Sequence, residues 1–419
     1  MPAATWRSAP GADRGALRRA EYTALALMYL AQGVPAGLAF NALGVLIRQG
    51  GHSVGDVGLA GLAFLPWAIK FLWAGPVDNA CARWGHARVV GVTQVLAVLA
   101  CLALVPFPPS SHLPWALVGV VLLNTLCATQ DIATNAYAVS RMQGRAAGAA
   151  NAIQVAGFIA GMLVGGGGLL VVYRHLGWDG AMLCLAALMA LLYLPLLLGR
   201  AWREPSAGAV PVVARVRLRD LRSHADLGWA LSVALVFKFA STATGTLSQP
   251  WLVDRGLALE QIGSLQMASL VATALGGVFI GVPMVRRWGN RRGTLAACVL
   301  SALVLGVPWA LNASGPQPLP VYYAAFAVQA LCDGAMYVAI WTLVMNWASP
   351  TRPGTDYTVM QCCESLANAM AAGAIGGLGQ WWGYGHAFAF AWFAGALVTV
   401  WIAVALPRMH LAHEFRGTA

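Results

Sequence analysis

Residues 75–88 read GPVDNACARWGHAR, and a related stretch, GVPMVRRWGNRR, occupies residues 281–292. The shared Arg-Trp-Gly core returns after about 204 residues, a spacing close to half of the chain. A repeat of that length indicates that the chain consists of two duplicated halves. Two further pairs return at nearly the same offset, namely segments 54–58 and 259–263, and Asp131 and Asp333.

The composition is that of a membrane protein. Of the 419 residues, 59% are hydrophobic and only 10% are charged. A membrane-spanning helix needs about 20 mostly apolar residues, and the sequence contains twelve such windows. We therefore expect an all-α membrane protein with twelve transmembrane helices in two six-helix, pseudo-symmetric halves. The predicted spans are 21–47, 54–77, 89–106, 115–139, 147–172, 180–199, 227–252, 261–285, 293–311, 321–345, 356–380 and 386–406.

Arginine is distributed very unevenly between the segments that connect these spans. If the N-terminus is inside, only Arg48, Arg174 and Arg255 fall on the outer side. The positive-inside rule then predicts a multi-pass membrane protein with both termini in the cytoplasm. The net charge of +11 reflects this topology and contact with anionic lipid, so we expect no nucleic-acid partner. The predicted segments are a cytoplasmic tail (1–20), a first half (21–199), a cytoplasmic linker (200–226), a second half (227–406) and a second cytoplasmic tail (407–419).

The repeated stretches resemble the signature loop between the second and third helices of the major facilitator superfamily. The resemblance implies two halves that rock around a substrate site near the membrane midplane, with the signature loop acting in gating. The alternative is that its arginines only set the topology. The candidate gating residues are Gly75, Asp78, Arg83, Gly85 and Arg88 in the first copy and Arg287, Gly289 and Arg292 in the second.

Ionisable side chains interrupt the apolar spans at five positions: Lys70, Asp131, Lys238, Asp333 and Glu364. A charge at the centre of a membrane helix costs at least ~2.5–3.5 kcal/mol, so each should face the protein interior or a watery cavity and find a partner. The helix arrangement that the resemblance implies makes pairs such as Lys70 with Asp131, and Lys238 with Asp333 or Glu364, possible, and the sequence leaves the choice among them open. The three acids are candidates for proton coupling; the alternative is static ion pairs that fix helix register.

Polar and aromatic residues recur at helical spacing beside these charges. Their convergence on one volume favours a polar, aromatic-walled cavity, although any one of them is more often a helix–helix hydrogen bond than a ligand contact. The candidate substrate-binding residues are Tyr29, Gln32, Phe40, Lys70, Gln130, Asn135, Tyr137, Lys238, Gln249, Tyr337, Trp341 and Gln361.

Several other classes of function are disfavoured. The run Gly165 to Gly168 lacks the Lys and Ser/Thr of a phosphate loop, and we interpret Gly33, Gly37, Gly157, Gly161 and Gly165 as sites of close helix packing. The eight cysteines and eight histidines show no metal-ligand spacing. We expect no enzyme activity, no cofactor and no metal site, and a chain that acts as a monomer.

Three motifs resemble a narrower group, which contains muropeptide permeases of the AmpG type, acetyl-CoA transporters and siderophore importers of the RhtX/FptX type. They are YLAQGVPAG at 29–37, KFLW at 70–73 and ATQDIA at 128–133. The segment GVLIRQGG at 44–51 looks closer to the siderophore branch. That branch implies a protein of the bacterial inner membrane and proton-coupled import of a ferric siderophore, of the pyochelin or rhizobactin type, from periplasm to cytoplasm. The alternatives are a muropeptide permease and a drug exporter.

Overall fold

The computed structural model describes residues 14–199, residue 202 and residues 215–416, and within these ranges every regular element is a helix. The predicted tail 1–20 therefore falls mostly outside the described residues. The same holds for most of the linker up to residue 214 and for the last three residues of the chain.

Six helices form the first half. Glycine residues with positive φ separate consecutive helices at Gly85 (φ 82°) and Gly177 (φ 67°), a conformation that glycine adopts without steric cost. The helices are α1 (Arg14–Gly37, a π-turn at Leu38–Ala42, then Leu43–Gln49), α2 (Val54–Gly58, Leu59–Phe64, Leu65–Ile69 and Phe71–Trp84), α3 (His86–Ala103), α4 (Pro109–Arg141), α5 (Ala147–Leu163, a π-turn at Val164–Gly168, then Leu169–Leu198 up to Gly177) and α6 (the rest of Leu169–Leu198).

The second half repeats this arrangement, with breaks at Gly289 (φ 80°) and Gly383 (φ 74°). A short 3₁₀ helix, Leu218–Ser223, precedes it. The helices are α7 (Leu227–Val236 and Phe239–Asp254), α8 (Leu259–Gly276, a π-turn at Gly277–Gly281, then Val282–Val304 up to Gly289), α9 (the rest of Val282–Val304, followed by Val307–Ala313), α10 (Leu319–Trp347), α11 (Pro353–Ala405 up to Gly383) and α12 (the rest of Pro353–Ala405).

Length and hydropathy agree with twelve crossings. Eight described helices are long and apolar enough to span a membrane, and the bent pair Asp56–Ile69 and Phe71–Trp84 makes a ninth. Two of the eight contain 55 and 54 residues, about 80 Å of straight helix against ~30 Å of hydrocarbon. Each therefore crosses twice, on either side of its glycine break, and the part of α11 before Gly383 is the twelfth crossing. The predicted fold class is confirmed.

The repeated segments 54–58 and 259–263 are matching helix starts. Ser53 caps α2: its hydroxyl accepts a hydrogen bond from the Asp56 N–H (3.2 Å), and the Asp56 carboxylate accepts one from the Ser53 N–H (3.0 Å). At the start of α8, the Gln261 side chain accepts a hydrogen bond from the Ala258 N–H (3.0 Å). The sequence repeat thus preserves the capping of the second helix in each half.

Glycine allows α1 and α5 to pack backbone against backbone. A Cβ atom on Gly161 would overlap the Leu30 carbonyl, and one on Gly165 would overlap the Val34 carbonyl. The predicted packing role of these glycines is confirmed. Helices α8 and α10 make the equivalent contact in the second half, where a Cβ on Gly334 would overlap the Thr273 carbonyl.

The two halves meet along α2 and α4 against α11, and along α5 against α8 and α10. The start of α1, the end of α4, the loops α2–α3, α8–α9 and α10–α11, and the described linker and tail all lie at one end of the bundle, which we call the arginine-rich end. Glu21 and Arg141 form an ion pair there (2.8 Å). Which side of a membrane this end faces stays a prediction of the positive-inside rule.

The linker and the C-terminal tail are both fastened at the arginine-rich end. The Asn79 side chain of α2 donates to the Val216 carbonyl (3.0 Å) and accepts from the Val216 N–H (2.9 Å). In the tail, the Phe415 carbonyl accepts from the Asn290 N–H (3.3 Å), and the Phe415 ring lies 5.6 Å from the Arg145 guanidinium. Since Arg145 follows α4, the tail contacts both halves.

Replacing Gly165 with leucine tests the close approach of α1 and α5. The added side chain meets backbone, which cannot rotate away, and overpacking of this kind costs about 1–3 kcal/mol or more. We expect a clearly lower melting temperature in detergent than for the wild type. The matched control is Gly373→Leu, because nothing lies within 4 Å of a Cβ at that position. Equal melting temperatures for the two variants would contradict the packing.

Candidate functional site

A cavity of about 500 Å³ lies between the two halves, and all five ionisable residues of the spans line it. Eight helices contribute to its surface, four from each half. Its other lining residues are Tyr29, Phe40, Phe64, Trp67, Gln154, Val155, Phe158, Ile159, Ser241, Thr242, Leu270, Thr273, Met336, Tyr337, Gln361, Ser365 and Asn368.

The first charged pair connects the halves. The Lys70 ammonium forms an ion pair with Asp131, in which each side chain is 4% exposed, and this is one of the pairs that the sequence made possible. Lys70 also donates to the Gln361 side-chain oxygen of α11 (2.7 Å). The Asn135 amide donates to both Asp131 (2.8 Å) and Gln361 (3.0 Å) and accepts from the Tyr29 hydroxyl (2.7 Å). Four helices therefore share one buried polar cluster.

The second charged pair is more open. Lys238 lies 3.5 Å from the Glu364 carboxylate; Lys238 is 38% exposed and Glu364 is 8% exposed. The ammonium also lies 4.8 Å from the centre of the Tyr337 ring, and the Tyr337 hydroxyl donates to Glu364 (3.4 Å). Asn368 donates to the same carboxylate (3.5 Å). Of the two partners that the sequence made possible for Lys238, Glu364 is the one that forms the ion pair.

Asp333 is held by hydroxyl groups. Ser301 donates to its carboxylate at 2.5 Å and Ser241 at 3.1 Å. Among the residues that the structure describes, no basic group lies within 4.0 Å of this carboxylate. Its oxygens are thus held by neutral hydrogen-bond donors, whereas Asp131 and Glu364 each form an ion pair.

Interruptions in the helices place both lysines at the cavity. Lys70 lies at the break between Leu65–Ile69 and Phe71–Trp84, where α2 bends by 51°. Lys238 lies at the break between Leu227–Val236 and Phe239–Asp254. A broken helix leaves backbone groups without intrahelical partners, and membrane proteins tolerate this where the break faces protein or a watery cavity.

Aromatic rings cover one side of the cavity. Phe40 packs edge-on against Phe64 (5.2 Å between centres) and Trp67 (6.3 Å), and Trp67 packs against Phe158 (5.6 Å). We call these four residues the aromatic wall. The Lys70 ammonium lies 5.1 Å from the Trp67 ring, so the wall continues directly into the first charged pair.

The predicted substrate-binding residues separate into four groups. Tyr29, Phe40, Lys70, Lys238, Tyr337 and Gln361 line the cavity, as do the three candidate proton-coupling acids. Asn135 lies behind the lining and orients Asp131 and Gln361. Gln249 lines a separate side pocket in the second half.

The remaining four candidates lie away from the cavity surface. Gln130 donates to Gln94 of α3 (2.8 Å) and Gln32 donates to Thr134 of α4 (2.8 Å), so both amides serve helix–helix contacts. Tyr137 packs against Trp202 near the arginine-rich end, and Trp341 packs against Tyr357. Each of these four side chains therefore packs against another part of the protein and does not face the cavity.

Helix α5 contributes lining residues that were not among the predicted site residues. Gln154 and Phe158 lie four residues apart and line the cavity together. Their four-residue spacing places both on one helical face, which is the sequence signal that could have identified them. Phe64, Ser241 and Ser365 are further lining residues of this kind.

The candidate gating residues close the arginine-rich end through Asp78. Its carboxylate accepts hydrogen bonds from the N–H groups of Gly354 (3.0 Å) and Thr355 (2.6 Å) at the start of α11, and from the Thr355 hydroxyl (2.6 Å). A carboxylate at a helix N-terminus is favoured by the helix dipole. Gly75 lies beneath the linker, where a Cβ would come within 3.1 Å of the Val216 carbonyl.

The signature arginines take no part in this closure. Arg83, Arg88, Arg287 and Arg292 are exposed, and they form no ion pair among the described residues. Arg291, which was not predicted, instead binds the C-terminal tail through Glu414 (2.8 Å) and the Met409 carbonyl (2.9 Å). Gly85 and Gly289 act through their positive φ at the turns.

Further hydrogen bonds join the halves at the same end. Gln143 donates to the carbonyls of Met345 (2.8 Å) and Ala348 (2.9 Å), and the Gly144 N–H donates to Asn346 (2.6 Å). Within the described ranges, hydrogen bonds between the halves lie at this end, at the charged cluster and along the cavity, where the Tyr357 hydroxyl donates to Asn151 (2.7 Å) and Gln154 (2.9 Å) and the Cys362 thiol donates to the Trp67 carbonyl (3.6 Å). The halves are thus closed at the arginine-rich end and are not joined by hydrogen bonds beyond the cavity on the other side.

Comparison with known proteins places these features in context. The family model described as Major Facilitator Superfamily matches residues 25–263 and 229–417. The anhydromuropeptide permease of Escherichia coli (strain K12) is 23% identical over 374 residues, which cover 86% of this chain and 74% of that protein. The putative transporter AmpG 4 of Rickettsia conorii is 21% identical over 358 residues, covering 82% and 86%.

Solved structures support the fold. A bacterial homologue of the iron transporter ferroportin in an outward-facing state superposes with a TM-score of 0.69 at 16% identity, covering 93% of this chain and 98% of that one. The Escherichia coli fucose:proton symporter superposes with a TM-score of 0.64 at 14% identity, covering 92% and 98%. At these identities the likeness concerns the fold alone.

The difference in burial between the charged pairs predicts unequal effects on stability. Lys70→Met leaves the Asp131 carboxylate buried without its partner, which costs about 3–5 kcal/mol. Lys238→Met costs less, because water screens the 38% exposed ammonium and the Glu364 carboxylate keeps its hydrogen bonds from Tyr337 and Asn368. The double variant Lys70→Met/Asp131→Asn recovers most of the loss. Thermal unfolding in detergent measures all three, and an equally large loss in Lys238→Met would contradict the assignment.

The contact of Asp78 with α11 predicts a conformational effect. Asp78→Ala removes three hydrogen bonds between the halves, so the arginine-rich end should open more often. In a cysteine-free background, a cysteine at the buried position Thr358 should react faster with a hydrophilic maleimide. The matched control is Asp56→Ala, since Asp56 caps the opposite end of the same helix. Unchanged labelling in Asp78→Ala would show that other contacts hold this end closed.

Proposed function

The chain belongs to the Major Facilitator Superfamily, and we propose that it is a proton-coupled importer of muropeptides, the sugar–peptide fragments of the bacterial cell wall. It is a multi-pass membrane transport protein and not an enzyme. The substrate class rests on the relatives: proteins named as anhydromuropeptide permease and AmpG-type transporter align with more than four fifths of the chain.

The observation that carries the mechanism is the cluster of Lys70, Asp131 and Gln361. Lys70 and Asp131 belong to the first half and Gln361 to the second, so their hydrogen bonds join the halves at the cavity. Protonation of Asp131 neutralises the partner of Lys70. The ammonium is then free to bind a carboxylate of the substrate, and one proton and one anionic group enter together.

The same exchange is available at the second pair. Lys238 is the more accessible ammonium of the cavity, and Glu364 is its partner. The three carboxylates of the cavity outnumber its two ammonium groups, so an anionic substrate is repelled until carboxylates take up protons. A muropeptide carries several peptide carboxylates, and binding it therefore requires protons from the side on which it loads.

Closure of the arginine-rich end supports loading of the substrate from the opposite side. The positive-inside rule places this end in the cytoplasm, and Asp78, Gln143 and Gly144 join the halves there. In this state the substrate loads from the periplasmic side. Rocking of the halves, with separation of α11 from Asp78, then exposes the cavity to the cytoplasm.

The aromatic wall favours a second candidate, a ferric siderophore with phenolate rings. Phe40, Phe64, Trp67 and Phe158 present a broad aromatic surface next to the Lys70 ammonium, which suits a flat anionic complex. The apolar faces of sugar rings stack on the same kind of surface, so the wall fits both classes. Direct comparison of the two ligands decides between them.

Uptake into liposomes tests the proposal. The purified protein is reconstituted and an inward proton gradient is imposed with a radiolabelled anhydromuropeptide, or with radioactive iron as ferric pyochelin, outside. We expect accumulation of the muropeptide that an uncoupler abolishes. Accumulation of the iron complex alone would favour the siderophore function, and accumulation of neither would contradict both.

Proton coupling by Asp131 has a separate readout. Asp131→Asn should lose accumulation at least tenfold and should retain exchange of labelled for unlabelled substrate, because exchange needs no net proton movement. Asp56→Asn, at an exposed carboxylate on α2, is the control and should behave as the wild type. Full accumulation by Asp131→Asn would reject its coupling role.

A further inference from the structure

The side pocket that contains Gln249 adjoins the main cavity. It has a volume of about 340 Å³ and lies among α7, α8 and α10, within the second half. Ser241, Leu270, Thr273 and Asp333 line both spaces. One ligand can therefore extend from the charged cavity into the side pocket, with Asp333 at the border.

The chemistry of the side pocket differs from that of the main cavity. Asp333 is its only charged lining residue, and no lysine or arginine of the described chain reaches it. Three amides, Gln249, Gln266 and Gln329, line it instead. Such a surface offers hydrogen bonds to neutral groups and offers no counter-charge to a carboxylate of the substrate.

One acceptor of the side pocket has no donor in the described part of the chain. The hydroxyls of Ser248 and Ser269 already donate to carbonyls of their own helices (2.7 and 2.9 Å). Gln329 is only 6% exposed, and its buried side-chain oxygen has no hydrogen-bond partner among the described residues. A buried acceptor of this kind requires a donor, and ligand hydroxyl or amide N–H groups supply one.

The remaining lining is apolar. Leu252, Ile262, Leu265 and Phe326 form much of the pocket surface. A ligand group that fits this pocket is uncharged. It has hydrocarbon faces, which pack against the apolar walls, and hydroxyl or acetamido groups at its edge, which donate to the Gln329 oxygen. Sugar rings have this combination, whereas charged peptide groups do not.

We infer that the side pocket is a subsite for the neutral amino-sugar part of the substrate, while Lys70 and Lys238 in the main cavity bind the charged peptide part. The inference rests on the proposed function and divides its substrate between two spaces. Ligand pockets generally measure about 300–1,000 Å³, so each space is large enough for its own part of the molecule.

Filling the side pocket tests the inference. Gly245 lines this pocket and does not line the main cavity, and a Cβ placed on it meets nothing within 4 Å. Gly245→Leu therefore fills the pocket without a backbone clash, and leucine favours a helix more than glycine does. The matched control is Gly228→Leu, on the same helix, where a Cβ also meets nothing within 4 Å.

Two probes distinguish the subsites: the free cell-wall tripeptide, and the same tripeptide carrying its amino-sugar disaccharide. Binding to the purified proteins is measured by calorimetry. We expect Gly245→Leu and Gln329→Leu to weaken binding of the sugar-bearing probe at least tenfold and to leave the tripeptide within about twofold of the wild type. Gly228→Leu should change neither.

The outcomes separate the two proposals. Two results would reject the subsite and leave the proposed function standing, provided that the wild type binds the sugar-bearing probe. Either Gly245→Leu binds this probe as well as the wild type does, or Gly245→Leu binds both probes more weakly by the same factor. If the wild type binds neither probe, the proposed function falls and the subsite falls with it. Gln329→Leu alters the same pocket from a different helix, so a matching result excludes a purely local effect of the leucine at position 245.

Discussion

The cost of placing charge inside a membrane shapes this protein more than any other constraint. Lys70 and Asp131 are each 4% exposed, and neither is tolerable at that depth without the other. Their pairing requires α2 to break at residue 70 and to face α4, and the remaining donor capacity of Lys70 is satisfied by Gln361 of α11. One electrostatic requirement thus fixes a helix bend, a helix–helix contact and a contact between the halves.

The duplicated architecture places two chemically different environments around one axis. The first half contributes a fully buried ion pair beside an aromatic wall. The second half contributes the Lys238–Glu364 ion pair, in which only the lysine is substantially exposed, and the Asp333 carboxylate, which is held by serine hydroxyls. The glycine contacts between α1 and α5 and between α8 and α10 repeat in both halves, so the scaffold has stayed symmetric while the groups that face the cavity have diverged.

Much of the fold was accessible from the sequence, because the signals that define it are local. The twelve spans follow from hydropathy, and the cost of unpaired charge indicates that the five ionisable residues need partners without deciding which of them pair. The amides were harder to place. Gln130 shares a helix with Asp131 but faces Gln94 of α3, since periodicity identifies a stripe and does not identify what the stripe faces. The side pocket is formed jointly by α7, α8 and α10, so the residue pattern of any one helix does not predict it.

The C-terminal tail holds both halves at the end that must open during transport. Asn290 and Arg291 fasten it to the second half, while the Phe415 ring rests against Arg145 of the first half. Separation of the halves breaks the last contact and leaves the others in place. A small fluorophore attached beside Phe415 would therefore change its surroundings with every turnover, and the tail offers an optical reporter of the transport cycle at a site remote from the substrate.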